Sequence, residues 1–202
     1  MADIKRRDAL RMMGAVPAAA VAFTWTQEEA VRAAAGARQA ASQAAAAGRA
    51  YTPRFFTARE YATVVLLSDL IIPRDTRSAG ASEAGTPEFI DYIVAEQPVR
   101  QVAMRGGLMW LDAECQRRFE HTFVEATDAQ RRQVLDDIAW PSRARPEFSH
   151  GVSFFTSMRD LVAAGFWSSR LGVADLGYQG NRPVEWTGAP PDVLQKLGVS
   201  YD

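Results

Sequence analysis

The chain has one cysteine and two histidines in 202 residues. A single cysteine closes no internal disulfide, and so few thiols and imidazoles exclude a Cys-rich zinc site, an iron-sulfur cluster and the C-x-x-C-H attachment of a c-type haem. Any redox cofactor associated with this polypeptide is therefore expected outside it. An excess of one charge is also lacking. Lys and Arg number 23 against 24 Asp and Glu, a net charge of -1, which removes the broad electrostatic basis for binding nucleic acid. Strand-like runs of alternating β-branched residues are missing, so the fold class is expected to be all-α. The phosphate-binding and hydrolase signatures G-x-G-x-x-G after a strand, G-x-x-x-x-G-K-[ST], G-x-S-x-G and H-E-x-x-H are absent too. Without partner motifs, His121 and His150 read as surface or capping residues, and Cys115 as a small buried apolar group.

What is present begins with an address. Lys5, Arg6, Arg7 and Arg11 precede residues 12–24, which carry no charge and are rich in Ala, Val and Met. This is the layout of a signal peptide. The apolar run is shorter than the roughly 20 residues needed to cross ~30 Å of hydrocarbon, and Gly14 and Pro17 interrupt it. Arg6-Arg7, followed by Leu10 and Arg11, resembles the twin-arginine export signal, which usually serves proteins exported already folded. Residues 1–24 are thus expected to engage the twin-arginine export machinery, and the protein to be periplasmic. Ala18-Ala19-Ala20 and Ala20-Val21-Ala22 both fit the small-x-small cleavage rule. Residues 25–50 are dominated by alanine, with Gly36 and Gly48 and no bulky apolar stripe, and they read as a linker.

Residues 51–168 carry the strong helical signals and predict a single irregular domain of about five to six helices. Thr57-Ala58-Arg59-Glu60 is a capping box, and Tyr61, Val64, Val65, Leu67, Leu70 and Ile71 recur at helical spacing until Pro73, predicting a helix over about 57–72. A long loop then leads to Thr86-Pro87, an N-cap with proline behind it, and a short helix over 87–97. After Pro98, the residues Val102, Leu108, Leu111, Cys115, Phe119 and Phe123 form one approximate stripe, with a break expected near Gly106-Gly107. Thr127-Asp128-Ala129-Gln130 is a second capping box, whose helix ends at Trp140-Pro141. The last strong helix follows Ser149-His150 and carries Phe154, Phe155, Met158, Leu161, Val162 and Phe166.

Residues 169–202 form an arm rich in glycine and proline that nonetheless keeps Tyr178, Trp186, Val193, Leu194, Leu197 and Tyr201. Burying a large apolar side chain is worth ~1.5–3 kcal/mol, enough to offset the ordering of about one backbone residue, so such anchors can order part of the arm on the core or on a second subunit. Pro190-Pro191-Asp192 ahead of Val193-Leu194-Gln195-Lys196-Leu197-Gly198 reads as a short helix with a glycine stop. Carboxylates cluster around the long loop, at Asp69, Asp75, Glu83, Glu88 and Asp91. Two of them could form an acid/base pair, although capping and solvation explain such residues more simply.

Several segments together resemble a known family. Asp69-Leu70-Ile71-Ile72-Pro73, then Gly80-Ala81 to Ala84-Gly85, then Pro87-Glu88-Phe89-Ile90-Asp91 are similar to the opening of the gluconate 2-dehydrogenase small-subunit (subunit 3) family. Phe154-Phe155, Gly165-Phe166-Trp167-Ser168-Ser169, Gly180-Asn181, Trp186 and Gly188-Ala189-Pro190 look like its closing signature. The resemblance implies a non-catalytic helper subunit with no cofactor of its own. It implies a large partner, a glucose-methanol-choline type flavoprotein that holds FAD and oxidises a sugar, glycoside or polyol, often with a cytochrome c subunit as acceptor. It also implies that the signal on the small chain exports both. On this reading Arg6 and Arg7 act in export, while Trp167, Arg170, Tyr178, Asn181 and Trp186 belong to the partner interface, where aromatic and arginine anchors are usual. Two alternatives stay open at this point: a free-standing periplasmic enzyme using the carboxylates near residues 69–91, and a periplasmic binding or scaffold module without a redox partner.

Overall fold

The structure is a computed structural model that describes residues 27–46, 48, 50–177 and 188–200. Its elements, in chain order, are α1 (Gln27–Ala46), α2 (Ala58–Ile71), α3 (Thr86–Glu96), α4 (Pro98–Phe119), α5 (Asp128–Ala139), a 3-10 turn (Pro146–Phe148), α6 (Ser149–Trp167), α7 (Arg170–Asp175) and α8 (Pro191–Leu197). No strand occurs among the described residues, and the all-α expectation holds.

The two capping boxes are both formed. Thr57 and Thr127 accept the backbone N–H of Glu60 and Gln130, whose side chains reach back to the N–H of each threonine. Four backbone donors at helix starts are thereby satisfied, so Thr127→Ala is expected to lower stability by about 1 kcal/mol, read as a lower urea midpoint at unchanged slope. At the start of α3 the boundary differs from the expectation. Gly85, in the left-handed region at φ 78°, takes the cap position, and Thr86 is the first helical residue. The Thr86 side chain is buried and does not cap.

α6 is the axis of the domain and packs against α1, α2, α3, α4, α5 and α7. The apolar pattern of its sequence explains why, since Phe154, Phe155, Met158, Leu161, Val162 and Phe166 are all buried. Its crossing with α4 is a reciprocal fit of rings on glycines. A Cβ on Gly107 of α4 would lie 1.9 Å from the Phe154 ring, and a Cβ on Gly151 of α6 would lie 2.5 Å from the Trp110 ring. Each helix contributes one glycine and, three residues away, one aromatic ring, which sets the two helices antiparallel and close. The Gly106-Gly107 pair therefore does not break the helix as expected. α4 runs unbroken from Pro98 to Phe119, because packing on Phe154 outweighs the ~1 kcal/mol per residue that glycine costs a helix.

The stripe expected on α4 also needs correction. Leu108, Leu111, Cys115 and Phe123 are buried, but Val102 is 85% exposed and Met104 takes the core position at that turn. Burial pushes the Cys115 thiol up to about 11, consistent with a packed, neutral side chain.

Residues 27–46, within the segment read as a linker, are helical. Ala33, Ala34 and Ala37 are buried, and a Cβ on Gly36 would meet the Tyr92 ring at 2.4 Å. The bulky side chain that α1 lacks is supplied by α3, and small residues let the two helices approach closely. A single segment gives no sign of such an arrangement, because the anchor lies more than fifty positions downstream.

Candidate partner interface

The carboxylates of the long loop and of α3 are the residues that bear on catalysis. Asp91 is fully buried at the centre of a hydrogen-bonded knot. Its Oδ2 accepts the Tyr51 hydroxyl at 2.8 Å and the Arg54 N–H at 2.7 Å, and its Oδ1 accepts the N–H groups of Phe55 and Phe56 at 3.0 and 3.2 Å. These bonds pin the irregular entry segment, residues 51–56, onto α3. Burial, then the bond to Asp91, raises the Tyr51 phenol above its ordinary range; burial, then Glu88, does the same for Tyr61. Asp69 accepts the Ser82 N–H at 2.9 Å and so closes the loop onto α2. Asp75 caps the turn by accepting from Arg77 and Ser78, both at 2.8 Å, which holds its carboxyl below the usual range. Glu83 is paired with Arg74 and is likewise lowered. The structure thus gives Asp69, Asp75, Glu83 and Asp91 caps, pins and ion pairs as their partners.

Two clefts fall short of what an organic ligand needs, for different reasons. One, of about 50 Å³, lies where α1 meets Gly85, Glu88 and Gly165, and it is far below the ~300–1,000 Å³ of small-molecule sites. The other, of about 330 Å³, is open and lined by Trp110, Glu114, Arg117, Arg145, Glu147 and Phe148. Its charges are engaged with one another. Glu114 accepts from Arg117 at 2.6 Å and from Arg118 at 2.6 Å, and these guanidiniums hold its carboxyl below the ordinary glutamate range. Arg118 continues to Asp137 at 2.7 Å, joining α4 to α5, and Arg145 pairs with Glu147 at 3.1 Å. Among the described residues no group of three His, Cys, Asp or Glu could hold a metal ion, and no helix is long and apolar enough to cross a membrane.

Two of the interface residues expected from sequence, Trp167 and Arg170, lie at the end of α6 and the start of α7. Ser169 is buried and caps α7 by accepting the Gly172 N–H at 3.0 Å. A Cβ on Gly172 would lie 2.1 Å from the Phe166 carbonyl oxygen, so only glycine permits the chain to fold back this tightly. The corner leaves Trp167 39%, Leu171 40% and Leu176 60% exposed, with Arg170 also at the surface. Trp167 stands edge-on to the buried Phe166 ring, at 4.9 Å between centroids and 82°, which orients it. Arg77 reaches across from the long loop to the Asp175 carbonyl at 3.3 Å and ties the two segments together. Trp167 and Arg170 are therefore placed together, and Leu171 and Leu176 join them without any sequence pattern that singles them out. Tyr178, Asn181 and Trp186 lie outside the described residues, as do Arg6 and Arg7. α8, within the arm, forms as expected and stops at Gly198, φ 66°.

A second exposed apolar strip lies on α4, where Val99, Val102 and Met109 are 70%, 85% and 70% exposed. The signal for it was present in the sequence, as an apolar spacing out of phase with Met104, Leu108, Leu111 and Cys115. One helix with two apolar phases has more apolar surface than its own core can cover.

Comparison with known proteins agrees with the resemblance drawn from the residues. The family model for gluconate 2-dehydrogenase subunit 3 matches residues 58–188, well over half of the chain. No curated protein and no solved structure matches. The matched span begins at α2, so it takes in Asp91 but not the donors at residues 51–56, and it runs past the Trp167 corner; the chain belongs to the gluconate 2-dehydrogenase subunit 3 family, as an accessory subunit of a dehydrogenase complex.

Proposed function

We propose that this chain is the non-catalytic small subunit of a periplasmic, FAD-dependent sugar, glycoside or polyol dehydrogenase, and that it stabilises the large flavoprotein subunit and carries the twin-arginine signal that exports both. Family membership over residues 58–188 carries the reading. The exposed apolar corner at Trp167, Leu171 and Leu176 supports it, because apolar groups held in fixed orientation are what a protein partner buries. The carboxylates near residues 69–91 weigh against a free-standing enzyme, since most of them already cap turns, pin backbone or pair with arginine. The flavin belongs to the large subunit, and a cytochrome c subunit would accept the electrons.

Where a flavoprotein of several hundred residues is encoded beside this chain, as the reading requires, co-expression of the two should yield one co-eluting yellow species on size exclusion. Replacing Arg6 and Arg7 together by lysine should leave both subunits in the cytoplasm, with periplasmic dehydrogenase activity lost. A leaderless flavoprotein that still reached the periplasm with this double variant would end the escort role.

A further inference from the structure

The outer face of α4 carries Val99, Val102, Gly106, Met109 and Ala113, separated by three, four, three and four residues. That spacing is the seam of a helix that packs along a second helix, yet every one of these residues faces solvent. Gly106 is the informative member. Its neighbour Gly107 is required by the Phe154 ring, whereas a Cβ on Gly106 would meet nothing within 4 Å. Among the described residues nothing calls for glycine at 106, although glycine weakens a helix interior. Among the described residues nothing fills the notch between Val102 and Met109, which leaves it open to a partner approaching from outside.

The charges beside the seam indicate what approaches. Arg105 and Arg117 flank it with side chains 49% and 64% exposed, while the carboxylates they contact, Glu60 and Glu114, are recessed at 21% and 9%. Both guanidiniums are already paired, Arg117 with Glu114 and Arg105 with Glu60, and Arg105 also donates to the Phe55 carbonyl at 3.1 Å; in each pair the cation is the member nearer solvent, so the surface beside the seam is positive at its outer edge. A second copy of the chain fits this poorly, because two-fold antiparallel packing centred on Gly106 sets Arg105 beside its own mate. A helix with an apolar edge and carboxylates along its flanks fits well.

We infer that the Val99–Val102–Gly106–Met109 face of α4 seats one helix of the large dehydrogenase subunit, apolar along its contact edge, acidic at its margins and inserting a bulky side chain at Gly106. This rests on the proposed function, and it adds a second contact region separate from the Trp167 corner.

The test uses the full chain and the large flavoprotein subunit, with affinity measured by titration of the purified subunits. Gly106→Leu and Met109→Glu should each retain the helical circular dichroism of the unaltered chain. Gly106→Leu should have an equal or higher thermal midpoint, since leucine is the better helix former and the site is open. Both should bind the large subunit roughly thirtyfold or more weakly. Added salt should slow association of the unaltered chain, as pairing between guanidinium and carboxylate requires. If the unaltered chain binds and both variants bind equally well, the α4 seat is wrong while the accessory role stands. If the isolated chain sediments as a dimer that Met109→Glu dissociates, the seat belongs to a second copy and the inference is overturned. If the unaltered chain does not bind the large subunit at all, the proposed function falls first and this inference with it.

Discussion

Asp91→Ala should lower the unfolding free energy by ~3–5 kcal/mol, measured by urea denaturation, which is a large part of a small domain's total stability. The carboxylate accepts from three backbone N–H groups and one phenol in a fully buried position. Alanine removes the acceptor and leaves those donors facing a small void, and an unsatisfied buried donor costs ~1–3 kcal/mol each. The penalty should stay below the simple sum, because residues 51–56 can peel from α3 and regain water. Asp91→Asn separates charge and hydrogen bonding from shape. Its amide oxygen can keep two of the N–H bonds, while its NH₂ group confronts the remaining donors, so an intermediate loss is expected. Equal stability of Asp91→Ala and the unaltered chain would show that the entry segment is not held by this residue.

The second large effect belongs to Gly107. A methyl group there would sit 1.9 Å from Cδ2 and 2.1 Å from Cγ of Phe154, with that ring confined between α4 and α6. Gly107→Ala is expected to cost ~1–3 kcal/mol, and Gly107→Val more, as the helices are forced apart and the Trp110–Gly151 contact loosens with them. The same change one residue earlier should have the opposite sign. Gly106→Ala should raise stability by ~0.4–1 kcal/mol, because its methyl group enters open space and alanine reduces the freedom of the unfolded chain. Thermal melts of the two variants side by side give the comparison. If both glycines tolerate alanine equally, the ring-on-glycine account of the α4–α6 crossing fails.

Much of the helical layout was legible in the sequence, for a local reason. A capping box, a proline at a helix start or a glycine after the last turn acts within four residues, so Thr57, Thr127, Pro98 and Gly198 mark boundaries wherever the helices later pack. The order and spacing of the segments from Asp69 to Asp91 and from Phe154 to Pro190 were likewise enough to point to the family. Other features were not legible. Val102 fits the apolar stripe as well as Leu108 does, yet one is exposed and the other is core. Asp91 read as a capping or solvated carboxylate, whereas it acts as a buried acceptor for a segment some 35 to 40 residues earlier.

By itself the amino-acid sequence determined the all-α class, the positions of most helix ends and the kinship with dehydrogenase small subunits, because each depends on neighbours along the chain or on motifs in a set order. Tertiary structure alone decided that residues 27–46 pack as a helix, that Gly106-Gly107 does not break α4, which of its faces is buried, and that Trp167, Leu171 and Leu176 share an exposed corner. The physical reason is the same in each case. Burial is a relation between surfaces, and the ring of Phe154 that requires Gly107, like the ring of Tyr92 that requires Gly36, comes from a part of the chain that local patterns do not reach.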